Sequence, residues 1–278
     1  MNQTTQTVTL PDGTCLAVHT FAPDDTTGTP ADLLLVHGFP ANGATFAEFA
    51  DTLQLALAPA VSLRVIAPDL RGYGDSDKPK AGYTCEQFAA DVLAIADALG
   101  LQDYVLAGHS MGGKIAQLVA ALRPANLRGL VLITPGLLSA SVPPADLETR
   151  LSAHGDATKI RALVSGWVSR PLDDANAMLV TNAGLQVGLD AWNDWLSIMR
   201  GEDFAERAAQ IAVPTLVIGA GKDTQRTEAE LQTSVQNIPN AQYAALPMSG
   251  HLPHIEDPVT LAALVVNFWD TLPVEANE

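Results

Sequence analysis

Leu106-Ala107-Gly108-His109-Ser110-Met111-Gly112-Gly113 is the stretch on which the reading of this chain turns. It follows a short apolar run beginning at Tyr104. It leads into a segment where Ile115, Leu118, Val119 and Leu122 fall at i, i+3, i+4 and i+7, the spacing of one buried helix face. A sharp turn from buried strand to helix forces its middle residue into a strained conformation. The positions two before and two after must then lack side chains, and Gly108 and Gly112 meet that need. The turn holds Ser110 above the sheet edge, with its hydroxyl near the positive end of the following helix and the Met111 N–H free to face a developing oxyanion. This marks Ser110 as a candidate nucleophile. A phosphate-binding loop is the rival reading, since Gly108 and Gly113-Lys114 have its spacing. It fails at Ile115, where such a loop needs Ser or Thr to ligate magnesium.

Outward from this turn the chain alternates. Leu33 to Val36, Leu63 to Ala67, Leu130 to Ile133 and Thr215 to Ile218 are further apolar runs bounded by Gly, Pro or Asp, and each reads as a strand buried on both faces. Helical spacing lies between several of them, as in Phe88, Val92, Ile95 and Leu99. Strand alternating with helix predicts an α/β fold with a mostly parallel central sheet and helices on both faces. Between Ile133 and Val213 the alternation stops. Two apolar stripes, Ile160-Leu163-Val164-Trp167-Val168 and Leu189-Trp192-Leu196-Met199, lie there without a convincing strand. Connections in α/β units are short, so residues 136–212 are expected to form an inserted helical lid over a core of 1–135 and 213–278. The acidic tail Val274 to Glu278 is expected to fray.

Composition narrows the partners. Of 278 residues 47% are hydrophobic, which excludes a disordered chain, and the formal net charge is −16. A pI near 4.5 argues against nucleic acid or an anionic membrane surface as a partner. Cys15 and Cys85 are too few and too far apart for a disulfide framework or a CxxC site. The first residues show no signal-peptide pattern and no apolar run reaches bilayer length, so a cytoplasmic protein is the expectation.

A nucleophilic serine needs a base, and the base an orienting acid. Asp223 follows the run Thr215 to Ile218 within Gly221-Lys222-Asp223, just past the C-terminal end of a strand, where open α/β sheets place their sites. Ala241 to Leu246 reads as one more strand, and His251 follows it after the flexible Ser249-Gly250 pair. His254 is the competing base and Asp257 the competing acid, but Asp257-Pro258 before an apolar helical stripe reads as a helix cap. His251 and His254 do not have metal-site spacing, and no metal is expected. His109 is read as non-catalytic, and neither His19 nor His154 falls in a pattern. The second oxyanion donor is expected in His37-Gly38-Phe39-Pro40. Pro40 has no N–H, which leaves Phe39 as donor, with His37 a structural hydrogen-bonder. The charged loop Asp69 to Asp77 is read as glycine-punctuated and braced by an Arg and carboxylate pair.

HGFP at 37–40, DLRGYGDSDKP at 69–79, GHSMGG at 108–113, Asp223 in GKD and GH at 250–251 together resemble the α/β-hydrolase superfamily. The chain order Ser110, Asp223, His251 is that superfamily's order. HGFP with DLRGYGDSDKP is similar to the branch of epoxide hydrolases and dehalogenases. Those enzymes use an Asp nucleophile, lid tyrosines or a Trp after the nucleophile, whereas this chain has Ser110, no Tyr within 136–212 and Met111. GHSMGG is similar to esterases, lactonases, cofactor-free haloperoxidases and carbon–carbon bond hydrolases. Ring-cleavage hydrolases of the last group usually carry Trp after the catalytic His, and here Leu252 stands there.

The resemblance implies a carboxylesterase-like serine hydrolase without a cofactor, acting on a small-molecule ester. Ser110, Asp223 and His251 would be its catalytic residues, with Phe39 and Met111 as oxyanion donors. Trp167, Trp192, Trp195 and Met199 are expected to close an apolar pocket that suits small to medium apolar groups. Lactonase, perhydrolase and carbon–carbon hydrolase activity are alternatives on the same residues, and a hydrolase-fold ligand receptor is the non-enzymatic one. The oligomeric state is not legible.

Overall fold

The computed structural model describes residues 1–24 and 27–273, so the tail beginning at Val274 lies outside the described residues. The chain runs β1 (Asn2–Thr9), β2 (Cys15–Ala22), β3 (Thr29–Val36), α1 (Ala47–Leu57), β4 (Val61–Pro68), α2 (Cys85–Ala98), β5 (Tyr104–His109), α3 (Met111–Ala121) and β6 (Leu127–Ile133). It continues through α4 (Leu147–Leu151), α5 (Ala157–Ser165), α6 (Asp174–Leu185) and α7 (Leu189–Ser197) before β7 (Thr215–Ala220). Then come α8 (Glu228–Asn237), β8 (Ala241–Leu246), α9 (Pro253–Glu256) and α10 (Pro258–Trp269).

The strands form one eight-stranded sheet in the order β1-β2-β4-β3-β5-β6-β7-β8. It is parallel from β4 to β8, while β2 pairs antiparallel with both β1 and β4. Alternation along the central strands divides the core in two. Leu34, Val36, Leu106, Leu130 and Leu132 share one cluster with residues of α2 and α3. Leu33, Leu35, Val105, Ala107, Val131 and Ile133 share the other with residues of α1 and α10. The helices start where side chains supply the missing acceptors: Thr84 caps α2 through Gln87 N, Asp156 caps α5 and Asp257 caps α10 through Thr260 N. The reading of Asp257-Pro258 as a cap therefore holds.

The chain turns one way from β3 to β4 and the other way to β5, which makes the β3/β5 boundary the switch point of the sheet. The crevice beyond that point lies between Val36 and Gly108, which are paired in register, and open α/β sheets bind ligands there. The segment 136–212 packs on this end as four α-helices and two short 3₁₀ helices and contains no strand.

One hairpin stands outside the expectations drawn from the sequence. The β1–β2 hairpin has no counterpart in the sequence reading, because β1 (NQTTQTVT) buries only Val8 and so lacks apolar alternation. Its signals are the β-branched threonines and Pro11-Asp12-Gly13, a turn-forming sequence with Gly13 at φ 87°. The loop at 69–77 is braced by Arg and carboxylate pairs, as expected, and the carboxylates come from outside it. Arg71 binds Asp91 on α2 and Asp12 in the hairpin turn. Asp69 instead accepts from Gly43 N and Asp75 N and pairs with His19.

Candidate active site

Ser110 sits between β5 and α3 at φ 52° and ψ −116°, a strained conformation for a residue with a side chain. The glycines around it are steric requirements. A Cβ on Gly108 would strike the Gly112 backbone, one on Gly112 would strike the Val36 carbonyl, and one on Gly38 would lie 2.9 Å from Ser110 Cβ. Only glycine lets the loop after β3 come this close to the serine.

The three residues expected to act together are brought together. Ser110 Oγ lies 2.8 Å from His251 Nε2, and His251 Nδ1 lies 2.8 Å from Asp223 Oδ2. With the Nδ1 tautomer that this pattern requires, the serine hydroxyl donates to Nε2 and the ring N–H donates to the carboxylate. Both supporting side chains are buried, at 4% exposure for His251 and 0% for Asp223. Asp223 also accepts from the backbone N–H of Gln225 (2.6 Å) and of Arg226 (3.2 Å), which fixes the carboxylate at the mouth of β7.

Met111 is the first residue of α3, so its N–H has no partner within the helix. Phe39 lies across from it, and among the described residues its N–H meets no acceptor. His37 holds this loop in place as a structural hydrogen-bonder. Its Nδ1 donates to Gly38 O and its Nε2 accepts from Leu70 N, which ties the loop at 37–40 to the one at 69–77.

Around Ser110 and His251 is a cramped cavity with about 20 Å³ of free room, on the scale of one water molecule. Phe39, Trp167 and Trp195 form its apolar walls. Arg150, Arg200, Gln225 and Arg226 complete it. A larger hollow of about 490 Å³ opens elsewhere, between Met1, Gln54 and Pro59. Among the described residues no group of His, Cys, Asp or Glu side chains is arranged to hold a metal ion, and no helix is long and apolar enough to cross a membrane.

The model of the alpha/beta hydrolase fold family matches residues 33–258. The chain belongs to that family. Lipase 3 of Moraxella sp. (strain TA144) is 30% identical over 250 residues, which cover 84% of this chain and 75% of that protein. An esterase from Exiguobacterium antarcticum superposes with a TM-score of 0.84 at 20% identity, covering 96% of this chain and all of that one. The enol-lactonase from Burkholderia xenovorans LB400 superposes with a TM-score of 0.80 at 22% identity, covering 95% and 100%. At those identities the two structures speak for the shared fold alone.

In this hydrolase the pocket differs from the expected apolar one. Trp167 and Trp195 line it, but Trp192 and Met199 do not. Trp192 is fully buried, donates its Nε1–H to Arg150 O at 3.0 Å and packs edge-on against Phe39. Met199 is equally buried, in the core. The apolar stripe of α7 serves mainly to seat the insert on the core, so only its edge residue Trp195 reaches the cavity. The three arginines belong to no helical stripe, and sequence spacing could not reveal them.

Glu256 is a second residue the sequence reading missed. Its carboxylate accepts from Gly250 N and Leu252 N on either side of His251, and from Ser169 N (2.7 Å) and Ser169 Oγ (2.6 Å) of the insert. Trp167 O in turn accepts from His251 N at 2.8 Å. A single buried carboxylate thus joins the insert to the loop that carries the histidine. The one available signal was an acidic residue five positions after His251.

Beneath the site lies a histidine cluster. His109 donates its Nε2–H to His251 O at 2.7 Å and packs against His254 at an interplanar angle of 59°, with ring centroids 4.5 Å apart. Burial holds His254 down to about 3 and His37 down to about 4. Burial, reinforced by the His254 and His251 rings, holds His109 well below the ordinary histidine value. All three are neutral, in keeping with supporting rather than acid–base roles. His19 pairs with Asp69, and His154 donates to Val187 O.

Proposed function

We propose that this alpha/beta hydrolase is a serine carboxylesterase that works through an acyl-enzyme on Ser110. The observation that carries this reading is the pair of 2.8 Å hydrogen bonds from Ser110 through His251 to Asp223. His251 Nε2 takes the hydroxyl proton as Ser110 Oγ attacks the ester carbonyl, then returns it to the departing alkoxide. Asp223 holds the Nδ1–H tautomer and stabilises the imidazolium. The Phe39 and Met111 N–H groups receive the oxyanion, and each such donor is worth roughly 10²- to 10³-fold in kcat. Water, deprotonated by the same histidine, releases the acid and restores Ser110.

Residues 136–212 act as the lid. An ester is far larger than the free room of about 20 Å³, so the wall formed by Trp167 and Trp195 must move to admit it. Ser110→Ala is the test. It should lower kcat on 4-nitrophenyl esters by about 10⁴-fold or more while melting as a folded protein. Turnover at the parent rate would refute the assignment. Lactone hydrolysis and peracid formation, assayed alongside, report which acyl acceptors and ring substrates the same serine uses.

A further inference from the structure

Arg150, Arg200 and Arg226 all reach the cavity beside Ser110, and they differ in how they are paired. Arg150 is committed: Nε binds Asp146 at 2.7 Å and Nη1 donates to Gln225 Oε1 at 2.9 Å. Arg200 and Arg226, both half-buried, have no carboxylate partner among the described residues. The Nε–H of Arg200 is buried and has no hydrogen-bond partner at all. Among the described residues the Arg226 guanidinium donates only to the carbonyl of Gln225, at 3.2 Å.

Nearby carboxylates are occupied elsewhere: Asp146 with Arg150, Asp223 with His251, and Glu230 with the N–H and hydroxyl of Thr227 at the start of α8. Burial, then the neighbouring charges of Arg226 and Arg150, lowers Arg200 to about 10, so it stays charged at neutral pH. Arg200 lies over the Trp195 ring, with 6.0 Å to the centroid, but two guanidinium groups without carboxylate partners in a narrow slot are costly to keep. An anion entering the slot removes that cost.

We propose that Arg200 and Arg226 form a carboxylate subsite beside Ser110, and that the preferred substrate is a small ester carrying a free carboxylate a few bonds from its scissile carbonyl. Rigid, planar guanidinium donors match the two oxygens of a carboxylate, and the limited room favours that small planar group. The protein's net charge of −16 does not override this. Surface charges more than about 8–10 Å away are screened by salt, while two cations within the slot act at contact range through little water.

The proposal rests on acyl transfer at Ser110, and its test separates the two. Mono-(4-nitrophenyl) adipate is compared with 4-nitrophenyl hexanoate, which differs in lacking the terminal charge. The parent enzyme should favour the charged ester by at least about tenfold in kcat/KM, chiefly through KM. Arg200→Met and Arg226→Met should each lower the charged ester's kcat/KM at least about tenfold and the neutral ester's by no more than about threefold. Arg200→Lys should fall between. A parent preference for hexanoate, or an equal fall on both esters, would overturn the subsite.

Should a methionine variant fail to fold, the unmodified enzyme still decides. Raising salt should raise KM for the adipate ester and leave hexanoate unchanged, and equal salt effects would count against the subsite. Adipate titrated calorimetrically into Ser110→Ala reads binding without turnover. Binding that Arg200→Met abolishes upholds the subsite even if no ester is cleaved, in which case acyl transfer is what fails. Ester turnover with no adipate binding rejects the subsite and leaves acyl transfer standing. Inorganic phosphate binding more tightly than adipate would reject the carboxylate in favour of another anion.

Discussion

On the sheet side of the cavity, Ser110, Asp223 and His251 are fixed largely by main chain. Ser110 lies at a turn that admits only glycine at Gly108 and Gly112, Asp223 accepts two backbone N–H groups, and His251 lies in a loop whose flanking N–H groups bind Glu256. On the insert side Trp167, Trp195 and Arg200 reach the cavity as side chains on separate turns, and Arg200 Nε has no partner. The proposed chemistry is thus preorganised, while the proposed recognition wall is assembled from distant segments and is free to differ without disturbing the geometry of Ser110, His251 and Asp223.

Glu256 is where the two sides meet, so it offers the largest test of this contrast. Glu256→Ala removes an acceptor from four donors and should cost about 1–3 kcal/mol of stability. Loosening of the His251 loop should also lower kcat by about 10- to 100-fold, with KM changed much less. Glu256→Gln keeps one acceptor oxygen and should recover most of the rate. Equal activity in parent and alanine variant, measured by steady-state kinetics, would show that Glu256 is structural only and that the insert does not position the histidine.

A paired substitution sharpens the division within the insert itself. Trp192→Ala should destabilise the protein by about 3–5 kcal/mol, since it empties a fully buried site, and alter KM little in whatever stays folded. Trp195→Ala should show the reverse balance, with a smaller loss in Tm and a larger change in KM. The same response from both would mean that the stripe of α7 does not separate into packing and lining residues.

The smallest effect concerns the histidines beneath the site. His37, His109 and His254 have folded-state values below the ordinary 6.5, so an unfolded chain binds their protons first as pH falls. Their contribution to stability is complete above pH 6.5 and is lost as pH drops from 6.5 towards about 4 for His37 and about 3 for His254, by at most about 1.4 kcal/mol per pH unit for each ring. His254→Phe, which cannot take up a proton, should flatten this slope by about one ring's share when unfolding free energy is followed against pH. An unchanged slope would show that His254 is protonated in the folded protein.

The same contrast explains what could be read from the sequence. The strands from β3 to β7 were legible because burial on both faces leaves continuous apolar runs, and the turn at Ser110 because its sterics demand glycine at fixed offsets. Chain order and strand-end position then led to Asp223 and His251. β1 was missed because a polar edge strand needs no apolar face. Trp192 and Trp195 look alike in sequence, being three residues apart on one helix, and only packing tells the wedge against Phe39 from the cavity wall. Arg200 and Arg226 come together only at the cavity, and Glu256 binds Ser169 across the insert boundary, which no local pattern records.

The central claim, that Ser110 carries the acyl group, is tested most directly by rapid quenching of the enzyme with 4-nitrophenyl butyrate and mapping of the adduct by mass spectrometry. The account predicts a butyryl group on the peptide containing Ser110, formed with a burst of nitrophenolate and absent from Ser110→Ala. Steady turnover with no adduct on Ser110, or an adduct on another residue that turns over at the catalytic rate, would contradict it.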